Sequence, residues 1–218
     1  MITANNKEVL LEIRGIIEQF LKVRGLELSL EKTLITNIED GFDFLGWNFR
    51  KYHAKLIIKP SKKSLDTVTK KLSEIIKSNK TIKQENLIYK LNPVINGWCN
   101  YHQCTCAKTA FETLNHRLFN MLWKWAKRRH PNKSSQWIKN RYWHTKERRG
   151  WIFSSEKAVL ARASDIPIVR HERIKLGMNP YIDEKYFKDK KVNRKQKKKN
   201  AYKETVAYRF NLTKMESI

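Results

Sequence analysis

Cys99, His102, Cys104 and Cys106 place four potential metal ligands within eight residues. Zinc takes such donors, but a structural zinc site usually pairs two short Cys/His motifs across a loop. This segment reads as helix, on which positions 99, 102 and 106 share a face and 104 does not, so no metal and no cofactor are expected. The residues that could act are basic. Lys63, Lys70 and Lys77 recur every seven residues, and Arg117, Lys124 and Arg128 follow at offsets of seven and four, with Arg129 beside them. Lys133, Lys139, Arg141, Lys146, Arg148 and Arg149 are interleaved with Trp137, Tyr142, Trp143 and Trp151. Lysine and arginine neutralise phosphates and release counterions, arginine also binds phosphate bidentately, and aromatic rings stack on unpaired bases. The chemistry these patterns suit is RNA binding, set against the plainer alternatives of solvated helix faces and core aromatics.

Charge supports a polyanionic partner. The 218 residues carry 46 Lys+Arg against 21 Asp+Glu, a net charge of +25, far outside the few charges usual for a soluble domain. An apolar content of 40% and an aromatic content of 11% exclude a wholly disordered chain. No run approaches a membrane span of roughly 18 apolar residues, and no basic segment with an apolar signal core opens the chain. Three cysteines do not form a disulfide framework. These features imply a cytoplasmic (bacterial) or organellar protein with no membrane partner.

The elements that must position these residues follow from periodicity. Residues 5–24 read as an amphipathic helix carrying Val9, Ile13, Ile16, Ile17, Phe20 and Leu21, with Asn5 or Asn6 at its start and Gly25 as its stop. Leu26–Thr36 alternates as a strand, Asn37–Gly41 is a turn, and Phe42–Lys51 and Lys55–Lys59 are strands joined at Tyr52-His53-Ala54. Ser61 opens a helix with the stripe Leu65, Val68, Leu72, Ile75 and Ile76; Thr81 to Gln84 has capping-box spacing. Pro93, behind an Asn92 cap, is expected to start a new helix bearing Trp98 and Tyr101 as core residues, with Gly97 at a close helix contact. Phe111, Leu114, Leu118, Met121, Leu122 and Trp125 make another stripe that ends at His130-Pro131. Trp137 to Trp143 continues as a short helix, Trp151–Phe153 as a strand and Ile166–Val169 as a further strand, and the Lys-rich tail as disorder.

Two blocks carry a family resemblance. Gly25-Leu26-Glu27-Leu28, Glu31-Lys32-Thr33 and Gly41-Phe42-Asp43-Phe44-Leu45-Gly46 resemble the end of the palm of group II intron reverse transcriptases. Leu91-Asn92-Pro93-Val94-Ile95-Asn96-Gly97-Trp98, Asn100-Tyr101, Phe111, Trp123, Arg128-Arg129-His130-Pro131 and Asn132-Lys133-Ser134 are similar to that family's maturase-specific region, domain X, which corresponds to a polymerase thumb. The resemblance spans roughly residues 1 to 187.

The resemblance implies an α+β, mainly helical chain. A palm remnant of helix and β-hairpin (1–59) would precede a three-helix thumb-like bundle (60–131), a small mixed subdomain (132–185) and a basic tail (186–218). Phe44, Leu45 and Gly46 would form the hairpin that supports a primer end. Met1-Ile2-Thr3-Ala4 resembles the strand that leaves the family's Asp-Asp turn, so both catalytic aspartates and the fingers would lie outside the chain. The family pattern gives Glu39, Asp40 and Asp43 no metal-binding role, and no Cys-pair, His-rich nuclease segment follows the tail. Polymerisation and DNA cleavage are therefore not expected of this chain alone. The implied function is that of a maturase-type protein that binds group II intron RNA and assists its folding and splicing. The alternative is the C-terminal half of a split or decayed reverse transcriptase that docks on a separately encoded fingers-palm chain, and target DNA is a further partner for the basic tail.

Overall fold

The computed structural model describes residues 1–29, 31–146, 149–169 and 174–215, and of residues 146, 149, 198 and 202–215 only the backbone. The fold is α+β and mainly helical. It divides into two compact units: Met1–Asp43 with Phe49–Ile57, and Phe44–Asn48 with Ile58–Ile218.

In the first unit, helix α1 runs Lys7–Lys22. Asn6 caps it in extended conformation without a side-chain bond, and Gly25 takes φ +68° just past its end. None of its residues is buried. Leu26–Thr36 alternates in sequence but contains no strand among its described residues. Ser29 instead accepts the amides of Lys32 and Thr33 and the Thr33 hydroxyl, closing a turn. Leu30 lies outside the described residues, and Met1–Ala4 is not a strand. The Asn37–Gly41 turn forms as read. Asn37 O accepts from the Asp40 and Gly41 amides and its Oδ1 from the Glu39 amide. Gly41 has φ +81°, and a Cβ there would meet Phe49 O and Arg50 Cβ at 3.0 Å.

The Phe42–Lys51 stretch is two strands rather than one: β1 (Phe42–Phe44) and β2 (Trp47–Tyr52). Leu45 at φ +49° and Gly46 at φ +81° make the two left-handed positions of a tight hairpin turn, which period-two alternation conceals. The second reversal, at His53-Ala54, leads into β3 (Lys55–Pro60), and the strand order is β1-β2-β3.

The second unit holds the core. Helix α2 (Lys62–Ser78) starts at Ser61, whose Oγ accepts the Ser64 amide. Helix α3 (Gln84–His102) begins after Lys83 with no side-chain cap. The capping-box reading of Thr81 therefore fails, and Gln84 donates instead to Tyr142 O and Ser154 O. The expected break at Pro93 also fails, because α3 runs through it. Asn92 is no cap, since its side chain donates to Val159 O and accepts from the Ala161 amide. An internal proline costs about 3 kcal/mol, and Leu91 and Ile95, buried on either side, supply apolar burial of comparable size. Gly97, expected at a close contact, faces open space.

Helix α4 (Lys108–Arg129) buries Phe111, Leu114, Leu118, Leu122 and Trp125, and α2 packs against both α3 and α4. Ser134 caps α5 (Ser135–Tyr142), which adds Ile138 and Tyr142 to the core. Trp143 leaves the helix and opens β4 (Trp143–Lys146), paired antiparallel with β5 (Arg149–Phe153) in the register Trp143↔Phe153 and His144↔Ile152. Burial of Trp143 and Phe153 together favours strand over a longer helix. Ile166–Val169 is not a strand; the Val169 amide donates singly to Gln103 O. Where composition suggests disorder, Glu184–Met215 forms helix α6. Its described side chains make exposed contacts such as the Lys188–Glu184 pair at 2.7 Å. No helix among the described residues is long and apolar enough to cross a membrane.

Candidate nucleic-acid interface

Two contacts set the register of α2 against α4. Arg117 donates to Asp66 at 2.7 Å and to Thr69 Oγ1 at 3.3 Å, and Trp125 Nε1 donates to Asn79 O at 3.0 Å. The two helices thus run in the same direction and pack directly on each other. Lys70 and Lys77 follow Asp66 by four and eleven residues, and Lys124 and Arg128 follow Arg117 by seven and eleven. Each offset returns to nearly the same helical face. Both rows therefore flank one seam, opposite the buried Val68, Leu72 and Ile76 on α2. Lys63, Lys70, Lys77, Lys124 and Arg128 are exposed, and none has a protein partner among the described residues.

The other cations anticipated for RNA divide by what they touch. Arg117 is tied to Asp66. Arg129 donates to Lys80 O and Ile82 O, both at 2.9 Å, and lies 4.6 Å from the Trp125 ring centroid, so it closes the α2–α3 connection onto the end of α4. Lys133 stands 5.5 Å from the Trp137 ring and Lys139 4.6 Å from the Trp151 ring. Arg141 opens on a cleft of about 690 Å³ that Lys83, Arg129 and Lys157 also line, with Glu85 and Glu156 among them. Arg148 lies outside the described residues, and Lys146 and Arg149 are described in backbone only.

The Phe44-Leu45-Gly46 turn is held by its carbonyls. Leu45 O accepts from Tyr101 Oη at 2.7 Å, and Gly46 O accepts from the Ser61 amide at 2.9 Å. Next to it, Trp47 stacks on Tyr101 with centroids 4.9 Å apart. Trp47 Nε1 donates to His102 Nδ1 at 2.8 Å. Indole nitrogen only donates, so Nδ1 is unprotonated and the neutral ring carries its proton on Nε2, 3.0 Å from Ser64 Oγ. That hydroxyl also accepts from Trp98 Nε1 at 3.0 Å. His102 is 0% exposed, and burial lowers its pKa from the ordinary 6.5 to about 4. A Ser–His pair invites a nucleophilic reading, but here the imidazole donates to the serine and cannot take its proton.

The same bonds bear on the metal ligands. Both ring nitrogens of His102 are engaged, Cys99 is buried with its thiol pushed up to about 12 by desolvation, and the Cys104 thiol lies 3.8 Å from Tyr101 O. Trp47, Ser64 and His102 form a network that sequence reading missed. Its members lie 17 to 55 positions apart along the chain, and the one local signal, His102 among three cysteines, points to a metal.

The molecule is thus an α+β protein built on a three-helix bundle with a basic seam. Residues 65–143 match the family model described as group II intron, maturase-specific domain, a span that runs from α2 to the first residue of β4. The chain therefore carries a group II intron maturase-specific domain. No curated protein matches it significantly.

Proposed function

We propose that this chain binds folded group II intron RNA along the α2–α4 seam and assists its folding and splicing, with the splicing chemistry residing in the RNA. The observation that carries the reading is the coincidence of the maturase-specific match with the bundle whose Lys63, Lys70, Lys77, Lys124 and Arg128 are exposed and have no protein partner among the described residues. Each lysine that neutralises a phosphate contributes about 0.7–0.9 to the slope of log affinity against log salt. Filter binding to a group II intron RNA and to an unrelated RNA of equal length tests the reading. The intron should bind more tightly, and the triple variant K63A/K70A/K77A should lower the salt slope by about 2 to 3 while leaving stability within about 0.5 kcal/mol. Equal affinity for both RNAs reduces the protein to a general polycation. An unchanged slope removes the α2 row from the interface.

A second reading has one observation of its own. Val9, Ile16 and Phe20 of α1 are exposed, Ile16 by 66%, which suits a protein partner such as a separately encoded chain that supplies polymerase carboxylates. Co-purification of the two chains tests it, and their separation at moderate salt counts against it.

A further inference from the structure

We infer that Trp151 is a stacking platform for an unpaired nucleobase, a site that rests on the RNA-binding reading and lies away from the α2–α4 seam. Trp151 sits in β5 with 51% of its surface exposed, although its neighbours in the same aromatic cluster, Trp143 and Phe153, are buried. Phe119 and Trp123 of α4 meet its ring at 6.1 and 6.2 Å with interplanar angles of 60° and 39°. They buttress the indole without lying flat on it. Trp123 is in turn wedged against Trp143 at 5.1 Å and Phe119 at 6.0 Å, which fixes the support from behind.

The backbone carries the same signal. Trp151 has φ +60°, a left-handed conformation that bulky residues rarely adopt, and such strain persists where surrounding structure imposes it. Were the ring needed only for the core, an extended residue in β5 would bury it without strain. Gly150 beside it has nothing within 4 Å of where a Cβ would stand, so a ligand can approach the strand at that point.

Lys139 Nζ covers the indole at 4.6 Å from its centroid. At an exposed site this contact favours the covered state by only about two- to fivefold. Stacking of a base on an aromatic ring contributes about five- to a hundredfold in affinity. A base therefore displaces the ammonium, which is then free for the adjoining phosphate on its flexible stem. The ligand class is a single-stranded nucleotide at a loop, bulge or end of an RNA, recognised by its ring and its phosphate rather than by its sequence.

The test compares two single-stranded RNAs of about twelve nucleotides, one with all its bases and one with abasic positions at its centre, so that phosphate charge is equal. A third strand carries 2-aminopurine at the centre. Wild-type protein should bind the base-bearing strand about five- to a hundredfold more tightly than the abasic strand and quench 2-aminopurine. Trp151→Phe should keep most of the preference. Trp151→Leu, apolar but without a π face, should lose it while binding the abasic strand as wild type does. Equal binding of both strands by wild-type protein overturns the platform and leaves the RNA-binding reading intact. Failure to bind either strand or intron RNA overturns both. If Trp151→Leu does not fold, absence of 2-aminopurine quenching by wild-type protein overturns the platform by itself.

Discussion

His102 should make the second unit sensitive to pH in a way that one substitution can isolate. In the folded chain the imidazole is buried and neutral, with a pKa lowered by desolvation to about 4 from an ordinary 6.5. Above pH 6.5 neither folded nor unfolded chain protonates this ring, and its contribution is fully present. As pH falls below 6.5 the unfolded chain takes up a proton that the folded chain refuses, so stability declines by about 1.4 kcal/mol per pH unit and levels off below about pH 4. The whole shift amounts to about 3 kcal/mol, of which about 2 kcal/mol falls between pH 7 and pH 5. Protonation would also turn Nδ1 into a donor facing the Trp47 indole N–H, which opposes it further. His102→Gln retains an acceptor for Trp47 and a donor for Ser64 but does not titrate. The variant should be less stable at pH 7 by about 1–3 kcal/mol. Urea unfolding at pH 7, 6 and 5, followed by far-ultraviolet circular dichroism, gives the gap between wild type and variant at each pH. That gap should shrink by about 2 kcal/mol from pH 7 to pH 5, while the carboxylates common to both proteins cancel. A gap that stays constant would show that His102 takes up its proton alike in both states and would refute the buried neutral ring.

Two further outcomes separate structural residues from surface ones. Arg129→Ala should destabilise the protein by about 1–3 kcal/mol in urea titrations, because the guanidinium bonds two carbonyls of the α2–α3 connection and covers Trp125, whereas Arg128→Ala next to it should stay within about 0.5 kcal/mol. Iodoacetamide at pH 8 should alkylate Cys106 in the native protein and leave Cys99 unmodified until denaturant is added, since Cys99 is buried and its thiol is pushed up to about 12; peptide mapping that finds early label on Cys99 would contradict its burial.

Much of the bundle could be read from the chain because its determinants are local. Val68, Leu72 and Ile76, and Phe111, Leu114, Leu118 and Leu122, recur at helical spacing and are buried in those helices. Ser61 opens its helix as read and accepts the Ser64 amide; the like cap at Ser134 is seen only in the fold. What failed depended on distant partners or on backbone dihedrals. Asn92 before Pro93 has the form of a cap, but Val159 and Ala161 claim its side chain from nearly seventy residues away. The Leu45-Gly46 reversal hides inside an alternating run because left-handed dihedrals leave no periodicity. Trp143 sits at the end of a helical pattern and turns into strand because Phe153 pairs with it. For the candidate interface, the seven-residue rows were visible as rows. That they flank one seam follows only from Asp66–Arg117 and Asn79–Trp125.

The division of labour among the cations narrows where RNA would be held. Arginine is the stronger phosphate ligand by geometry, and a reading by residue type ranks Arg117 and Arg129 above the lysines. In the fold these two arginines are engaged, one by a carboxylate and the other by two carbonyls and an indole. Recruiting either to phosphate would break a contact that joins α2 to α4 or closes the α2–α3 connection. Lys63, Lys70 and Lys77 have no such obligation, and as flexible point charges they can follow a backbone of varied shape. A seam of lysines with Arg128 at one end suits a surface that senses the charge and contour of a folded RNA. Contact with unpaired bases has to come from elsewhere, and the exposed aromatic on β5 would add a sequence-tolerant stacking surface that the seam lacks. The two surfaces make separate demands on a ligand, so salt should weaken one term and abasic substitution the other, independently.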